Sequence, residues 1–163
     1  LGKGSTFSFD LKFEAFEQTE GVAASQLAKT KPLTNDLMHN KKILIVEDNK
    51  INQMITRKIL EKHKVICDVA DNGTIAVEKA SNNYFDLILM DIHMPGISGI
   101  EATVQIRKFD DQIPIVALTA VTLDENLDEF YLNGFTDIIP KPYKTEEFFS
   151  KINFHLSNRN IPA

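Results

Sequence analysis

Three carboxylates, one hydroxyl and one ammonium each stand at the end of a short apolar run. Glu47 and Asp48 follow Ile43-Leu44-Ile45-Val46, and Asp91 follows Leu87-Ile88-Leu89-Met90. Thr119 follows the run from Ile113 to Leu118, and Lys141 closes the stretch that holds Ile138 and Ile139. Brought within a few ångströms, the three carboxylates repel one another strongly in a partly buried site. Lys141 offsets one charge. A hard divalent cation with oxygen ligands offsets the rest, and Mg²⁺ suits such a set. A carboxylate can also attack phosphorus to give an acyl phosphate. The oxygens of the transferring group then need positive charge and hydrogen-bond donors. Mg²⁺, Lys141 and Thr119 would supply them, so the set reads as equipment for Mg²⁺-dependent phosphoryl transfer onto Asp91. Taken singly, each residue has an ordinary role. Asp48 or Asn49 caps a helix, Asp91 is a loop carboxylate, Thr119 lies in a turn and Lys141 is a solvated lysine. The joint placement argues for chemistry.

The elements that must position these residues are visible as periodicity. The apolar runs, together with Val65 to Ala70 and the stretch from Phe135 to Ile139, are too short for helices. Most lack polar alternation and read as strands buried on both faces of a parallel sheet. Val65 to Ala70 carries Asp68 and is placed near an edge. Between the runs, Ile51, Met54, Ile55 and Ile59 share one helical face, as do Leu123, Leu127, Phe130 and Tyr131. Phe149, Ile152 and Leu156 form a third face. Ser98 with Glu101 and Thr122 with Glu125 are capping-box pairs. Thr145 is read as a cap ahead of Glu146 and Glu147, and Asn133-Gly134 as a helix stop. Five strands and five helices alternate. Right-handed crossovers then demand helices on both sheet faces, giving a doubly wound α/β domain. Ligands of such sheets bind beyond the C-terminal ends of the strands, where the five residues stand.

Composition narrows the function classes. The chain has 163 residues with a formal charge of −5, which argues against nucleic acid held by bulk charge. The one cysteine, Cys67, forms no internal disulfide and fits a reducing compartment. No apolar run spans a bilayer and no signal peptide is visible. A cytoplasmic location without membrane contact is expected for this fragment. Leu1 stands where a translated chain would carry Met, so a longer parent is expected. The loop Glu47-Asp48-Asn49-Lys50 repels phosphate in the absence of metal, which counts against a flavin mononucleotide binder. His93 stands where a haloacid-dehalogenase-type phosphatase needs a second acid. The acidic run Asp124, Glu125, Asp128 and Glu129 is read as a solvated helix face, and His39 and His155 as structural.

The segments ILIVEDN (43–49), LILMDIHMPGISG (87–99), ALTA (117–120) and KPY (141–143) closely resemble the receiver, or response-regulator, domain of two-component signalling. The resemblance covers about residues 41–158. It implies a flavodoxin-like five-stranded sheet in the order 2-1-3-4-5 and a phosphorelay function. It also implies that Asp91 is the phosphoacceptor. Glu47 and Asp48 would hold Mg²⁺, with Asp91 and the backbone carbonyl of His93 completing the protein ligands. Thr119 would be the switch hydroxyl and Lys141 the phosphate-contacting lysine, with a cis bond to Pro142. One position departs. Receivers often place Tyr or Phe three residues before the lysine as the rotating partner of the switch, and here Ile138 stands there. The His93 side chain sits where receivers tune acyl-phosphate hydrolysis, but a solvent-facing loop histidine is the favoured reading. The alternative to an active receiver is a docking module that is not phosphorylated.

Gly2-Lys3-Gly4-Ser5 fails the P-loop pattern, which needs Ser or Thr directly after Gly-Lys. The stretch GKGSTFSFDLKF resembles the last Gly-rich motif and strand of a histidine-kinase ATP-binding domain. The expected organisation is a remnant of that domain over 1–13, a linker over 14–40, the receiver over 41–158 and a tail over 159–163. This is the arrangement of a hybrid sensor histidine kinase. The fragment lacks the motifs for kinase activity of its own. Its expected partner is a phosphohistidine on a kinase core or a phosphotransfer domain.

Overall fold

The computed structural model describes residues 35–120 and 127–158. The expected strand over 7–13, the linker up to 34, the pair Thr122–Glu125, Leu123 and the tail lie outside the described residues.

Five parallel strands form one sheet: β1 (Lys42–Val46), β2 (Ile66–Ala70), β3 (Leu87–Asp91), β4 (Ile115–Thr119) and β5 (Asp137–Pro140). Their order is β2-β1-β3-β4-β5, with β2 at an edge as its mixed composition suggested. Every residue of β3 and β4 is buried, which is what strands covered on both faces require. Alternate side chains feed two cores. Leu44, Val46, Ile88, Met90 and Ala117 meet Ala76, Ala102 and Ile106 on one face. Ile43, Ile45, Leu89, Val116 and Leu118 meet Leu60, Phe148, Ile152 and Leu156 on the other. The register pairs Val46 with Met90, Asp91 with Leu118, and Thr119 with Pro140. The C-terminal ends of β1, β3, β4 and β5 therefore finish at nearly one level.

The helices are α1 (Lys50–Glu61), α2 (Gly73–Asn82), α3 (Gly99–Ile106), α4 (Leu127–Leu132) and α5 (Thr145–Asn158). Asn49 caps α1, its side chain accepting from the N–H groups of Ile51 and Asn52. Ser98 and Glu101 form the expected capping box. Gly134, after α4, adopts φ +96°, the left-handed turn that glycine permits. A 3-10 turn over Asn35–Met38 precedes β1, and Met38 is buried in the second core.

Three helical expectations need correction. On α1 the apolar stripe faces outward: Ile51 is 63% exposed, Met54 49% and Ile55 46%, with Ile59 partly buried. The buried residues are Gln53, Thr56 and Leu60. The two polar ones are tolerated inside because each is hydrogen-bonded there. On α4, Phe130 is buried edge-on against Phe135, whereas Tyr131, one position around the helix, is half exposed. At α5, Thr145 is already helical, and the carbonyl of Lys144 accepts from the N–H of Phe148. Phe148 is completely buried and its neighbour Phe149 only partly.

Candidate functional site

Asp91 ends β3 with only 8% of its surface exposed. The N–H of His93 donates to its Oδ1 at 3.2 Å and the Lys141 ammonium to its Oδ2 at 2.8 Å. Lys141 follows β5, and its own N–H donates to the carbonyl of Thr119 at 2.6 Å. The cis Lys141–Pro142 bond expected of this turn is present. From there the ammonium also reaches Glu47 Oε2 at 2.6 Å. Glu47, directly after β1, is 3% exposed. Asp48 beside it is exposed to solvent. Glu47, Asp48 and Asp91 each offer an oxygen, and these oxygens all lie within 4.8 Å of one another. Thr119 is buried at the end of β4. The sheet thus gathers all five chemistry-bearing residues at one edge.

Burial works against the Lys141 charge, but the bonds to Asp91 and Glu47 outweigh it and hold the ammonium's pKa above its ordinary value. Gly99 makes close packing possible under the site. A Cβ there would lie 2.1 Å from the carbonyl oxygen of Asp91. The Gly99 N–H instead donates to the carbonyl of Ile92 at 3.0 Å.

The His93 side chain is exposed in its loop. Ile138 is 3% exposed and packs in the first core. His155 and Asp137 are paired at 2.9 Å, joining α5 to β5.

Asn52, Gln53, Thr56 and Asp71 also shape the site and escaped the sequence reading, and Tyr143 entered it only within the KPY motif. Asn52 donates to Glu47 Oε1 at 3.0 Å. The Gln53 amide donates to the carbonyl of Glu47 and to Asp71, which follows β2. The hydroxyls of Thr56 and Tyr143 lie 2.9 Å apart, tying α1 to the turn after Lys141. A cleft of about 460 Å³ opens beside the carboxylates, lined by Asn52, Ile55, Thr56, Lys141 and Tyr143 among others. No local signal marked Gln53 and Thr56, because polar residues opposite an apolar stripe read by period alone as a solvated face.

A flavodoxin-like sheet with carboxylates, a lysine and a threonine at its strand ends is the architecture of a receiver. Residues 43–153 match the family described as response regulator receiver domain, and the chain belongs to that family. The sensor kinase/phosphatase LuxQ of Vibrio vulnificus is 35% identical over 154 residues, covering 93% of this chain and 17% of LuxQ. Transcription factor SKN7 of Candida albicans is 35% identical over 114 residues, covering 70% of this chain and 20% of SKN7. This chain therefore spans about a fifth or less of the length of these curated relatives. Among solved structures, the receiver domain of a sensor histidine kinase from Pseudomonas aeruginosa superposes with TM-score 0.68 at 30% identity, covering 73% of this chain and 99% of that one. That receiver coordinates magnesium in its active-site cleft. The receiver domain of the Saccharomyces cerevisiae response regulator Ssk1, solved with the histidine phosphotransfer protein Ypd1, gives TM-score 0.69 at 35% identity, covering 76% and 94%.

The all-oxygen donor set of Glu47, Asp48 and Asp91 fits a magnesium ion in this chain too. Among the described residues, no helix is long and apolar enough to cross a membrane.

Proposed function

We propose that this chain is the phosphoacceptor module of a phosphorelay and takes a phosphoryl group from a phosphohistidine onto Asp91. The observation that carries this reading is the Lys141 ammonium lying between two buried carboxylates, Glu47 and Asp91, at the end of the sheet. An Asp91 oxygen attacks phosphorus. The P–N bond to the donor imidazole breaks as the acyl-phosphate P–O bond forms. Mg²⁺, held by Glu47, Asp48, Asp91 and the His93 carbonyl, would neutralise charge on the phosphoryl oxygens. Lys141 already touches Asp91 and moves with little displacement onto a phosphoryl oxygen. The Thr119 hydroxyl donates to a second oxygen, and the end of β4 follows it. Ile138, a buried residue of β5, repacks in the first core, having no ring to swing outward.

The donor docks over the cleft beside α1. Ile51, Met54 and Ile55 offer it an apolar surface next to the acidic site. The donor is a phosphohistidine on a kinase core or a phosphotransfer domain, in keeping with the Ypd1 complex of the Ssk1 relative. Residues 1–13 are read as the end of an ATP-binding domain and 14–40 as a linker whose last turn, Asn35–Met38, packs on the receiver with Met38 in its core, placing the receiver in a hybrid sensor histidine kinase. The fragment itself transfers phosphoryl groups only to and from Asp91.

The test is intact mass after incubation with acetyl phosphate, with and without Mg²⁺, beside Asp91→Asn. One Mg²⁺-dependent phosphoryl adduct, absent from the variant, is expected. A folded wild-type chain that stays unlabelled while another receiver labels in parallel would overturn the reading in favour of a docking module.

A further inference from the structure

Glu47 is held by more than the lysine. Its Oε2 takes the Lys141 ammonium, and its Oε1 takes the side-chain amide of Asn52 at 3.0 Å. The backbone N–H of Asn49 lies 3.4 Å from the same Oε1. Its carbonyl takes the Gln53 amide, which is itself buried and also bound to Asp71. Asn52 and Gln53 are consecutive residues in the first turns of α1. Asn49 fixes that start by accepting from the N–H groups of Ile51 and Asn52. The beginning of α1 is therefore wired to Glu47 at both its carboxylate and its main chain.

Transfer to Asp91 draws Lys141 toward a new phosphoryl group, and Glu47 then loses the donor on Oε2. The Asn52 amide carries no charge and faces Glu47 rather than Asp91, so it has no reason to leave. We propose that Asn52 is a positioning residue, keeping the Glu47 carboxylate turned toward the cation site before transfer and after Lys141 departs. The proposal rests on the reading of Glu47, Asp48 and Asp91 as a Mg²⁺ site.

Asn52 is exposed on α1, so its side chain can be removed without opening the core. Mg²⁺ alone is titrated into the full chain by calorimetry, comparing wild type with Asn52→Ala and Asn52→Gln. Asn52→Ala is expected to weaken Mg²⁺ by about fivefold, the factor that one hydrogen bond's net worth corresponds to. Asn52→Gln, which keeps a terminal amide, should recover most of that loss. The melting temperature in metal-free buffer should move little in either variant, which separates positioning from folding. In acetyl phosphate labelling, the Mg²⁺ concentration for half-maximal rate should rise in Asn52→Ala more than the maximal rate falls. A folded Asn52→Ala chain with wild-type Mg²⁺ affinity would overturn the role of Asn52 and leave the phosphoacceptor reading standing. A wild-type chain that neither binds Mg²⁺ nor labels would overturn both.

Discussion

Lys141 donates to Asp91 across 2.8 Å although 50 residues separate them in the chain. The contact joins the ends of β5 and β3, and the same ammonium reaches Glu47. One cation thus stands between two carboxylates that would otherwise repel. Such a bridge costs desolvation, but removing only its cationic half leaves buried charges uncompensated.

Lys141→Met is therefore expected to lower stability in metal-free buffer by about 2 kcal/mol, below the range for a fully buried pair because the lysine is partly solvated. Mg²⁺ should stabilise the variant more than the wild type, since the cluster is more negative without the ammonium. Thermal melts of both proteins, with and without Mg²⁺, read this directly. Equal Mg²⁺-induced shifts would show that Lys141 and the cation do not share a site.

Gly99 begins α3, where alanine normally improves helix propensity. Here the added methyl would meet the Asp91 carbonyl oxygen at 2.1 Å, against backbone that cannot rotate away. Gly99→Ala should cost about 2–3 kcal/mol, as overpacking does. It should also reduce labelling of Asp91, because the displaced backbone carries the acceptor. Urea denaturation paired with acetyl phosphate labelling checks both effects. A stabilised Gly99→Ala chain would contradict the close approach.

Asp137 joins β5 to α5 through Lys151 Nζ at 2.7 Å and His155 Nε2 at 2.9 Å. Burial pushes its pKa up, but these partners and the Ile138 N–H outweigh burial and bring it down to about 2. A depressed carboxylate pKa stabilises the fold above its ordinary range, and that contribution fades as pH falls toward 2. Asp137→Asn should lose about 1 kcal/mol at neutral pH, allowing for partial solvent exposure. Its urea midpoint should then fall less steeply than that of the wild type on acidification below the ordinary carboxylate pKa. Parallel pH profiles would expose an error in this assignment.

Ile55 lies beside the acidic site and is 46% exposed. Ile55→Glu places a charge on the proposed docking surface. The ratio of labelling by a phosphorylated phosphotransfer domain to labelling by acetyl phosphate should fall about tenfold, as at interface hot spots. An unchanged ratio would move the docking surface away from α1.

Much of this arrangement is legible in the residues. Continuous runs such as Leu87 to Met90 announce strands buried on both faces, and chemistry directly after them announces a shared edge. The Asn49 cap and the Ser98–Glu101 box are local and could be read from spacing. The orientation of α1 could not. Ile51, Met54, Ile55 and Ile59 make a convincing core stripe by period alone. What turns the helix over are tertiary bonds, from Gln53 to Asp71 and between Thr56 and Tyr143, 87 residues apart. Phe148 and Phe149 pose the same difficulty on α5, because adjacent apolar residues do not reveal which of them points inward.

The inverted face of α1 also limits how its sequence can drift. Inward Gln53 and Thr56 alternate along the chain with outward Met54 and Ile55. Each residue advances the helix by about 100°. Substitution at Met54 or Ile55 alters only the outer surface. Inserting or deleting one residue near the start of α1 would instead rotate the two sets past each other, pulling the amides off Glu47 and driving isoleucine or methionine toward the carboxylates. Lineages carrying this helix should thus change its outer positions only in step with the donor that docks there, while its spacing from Glu47 stays unchanged.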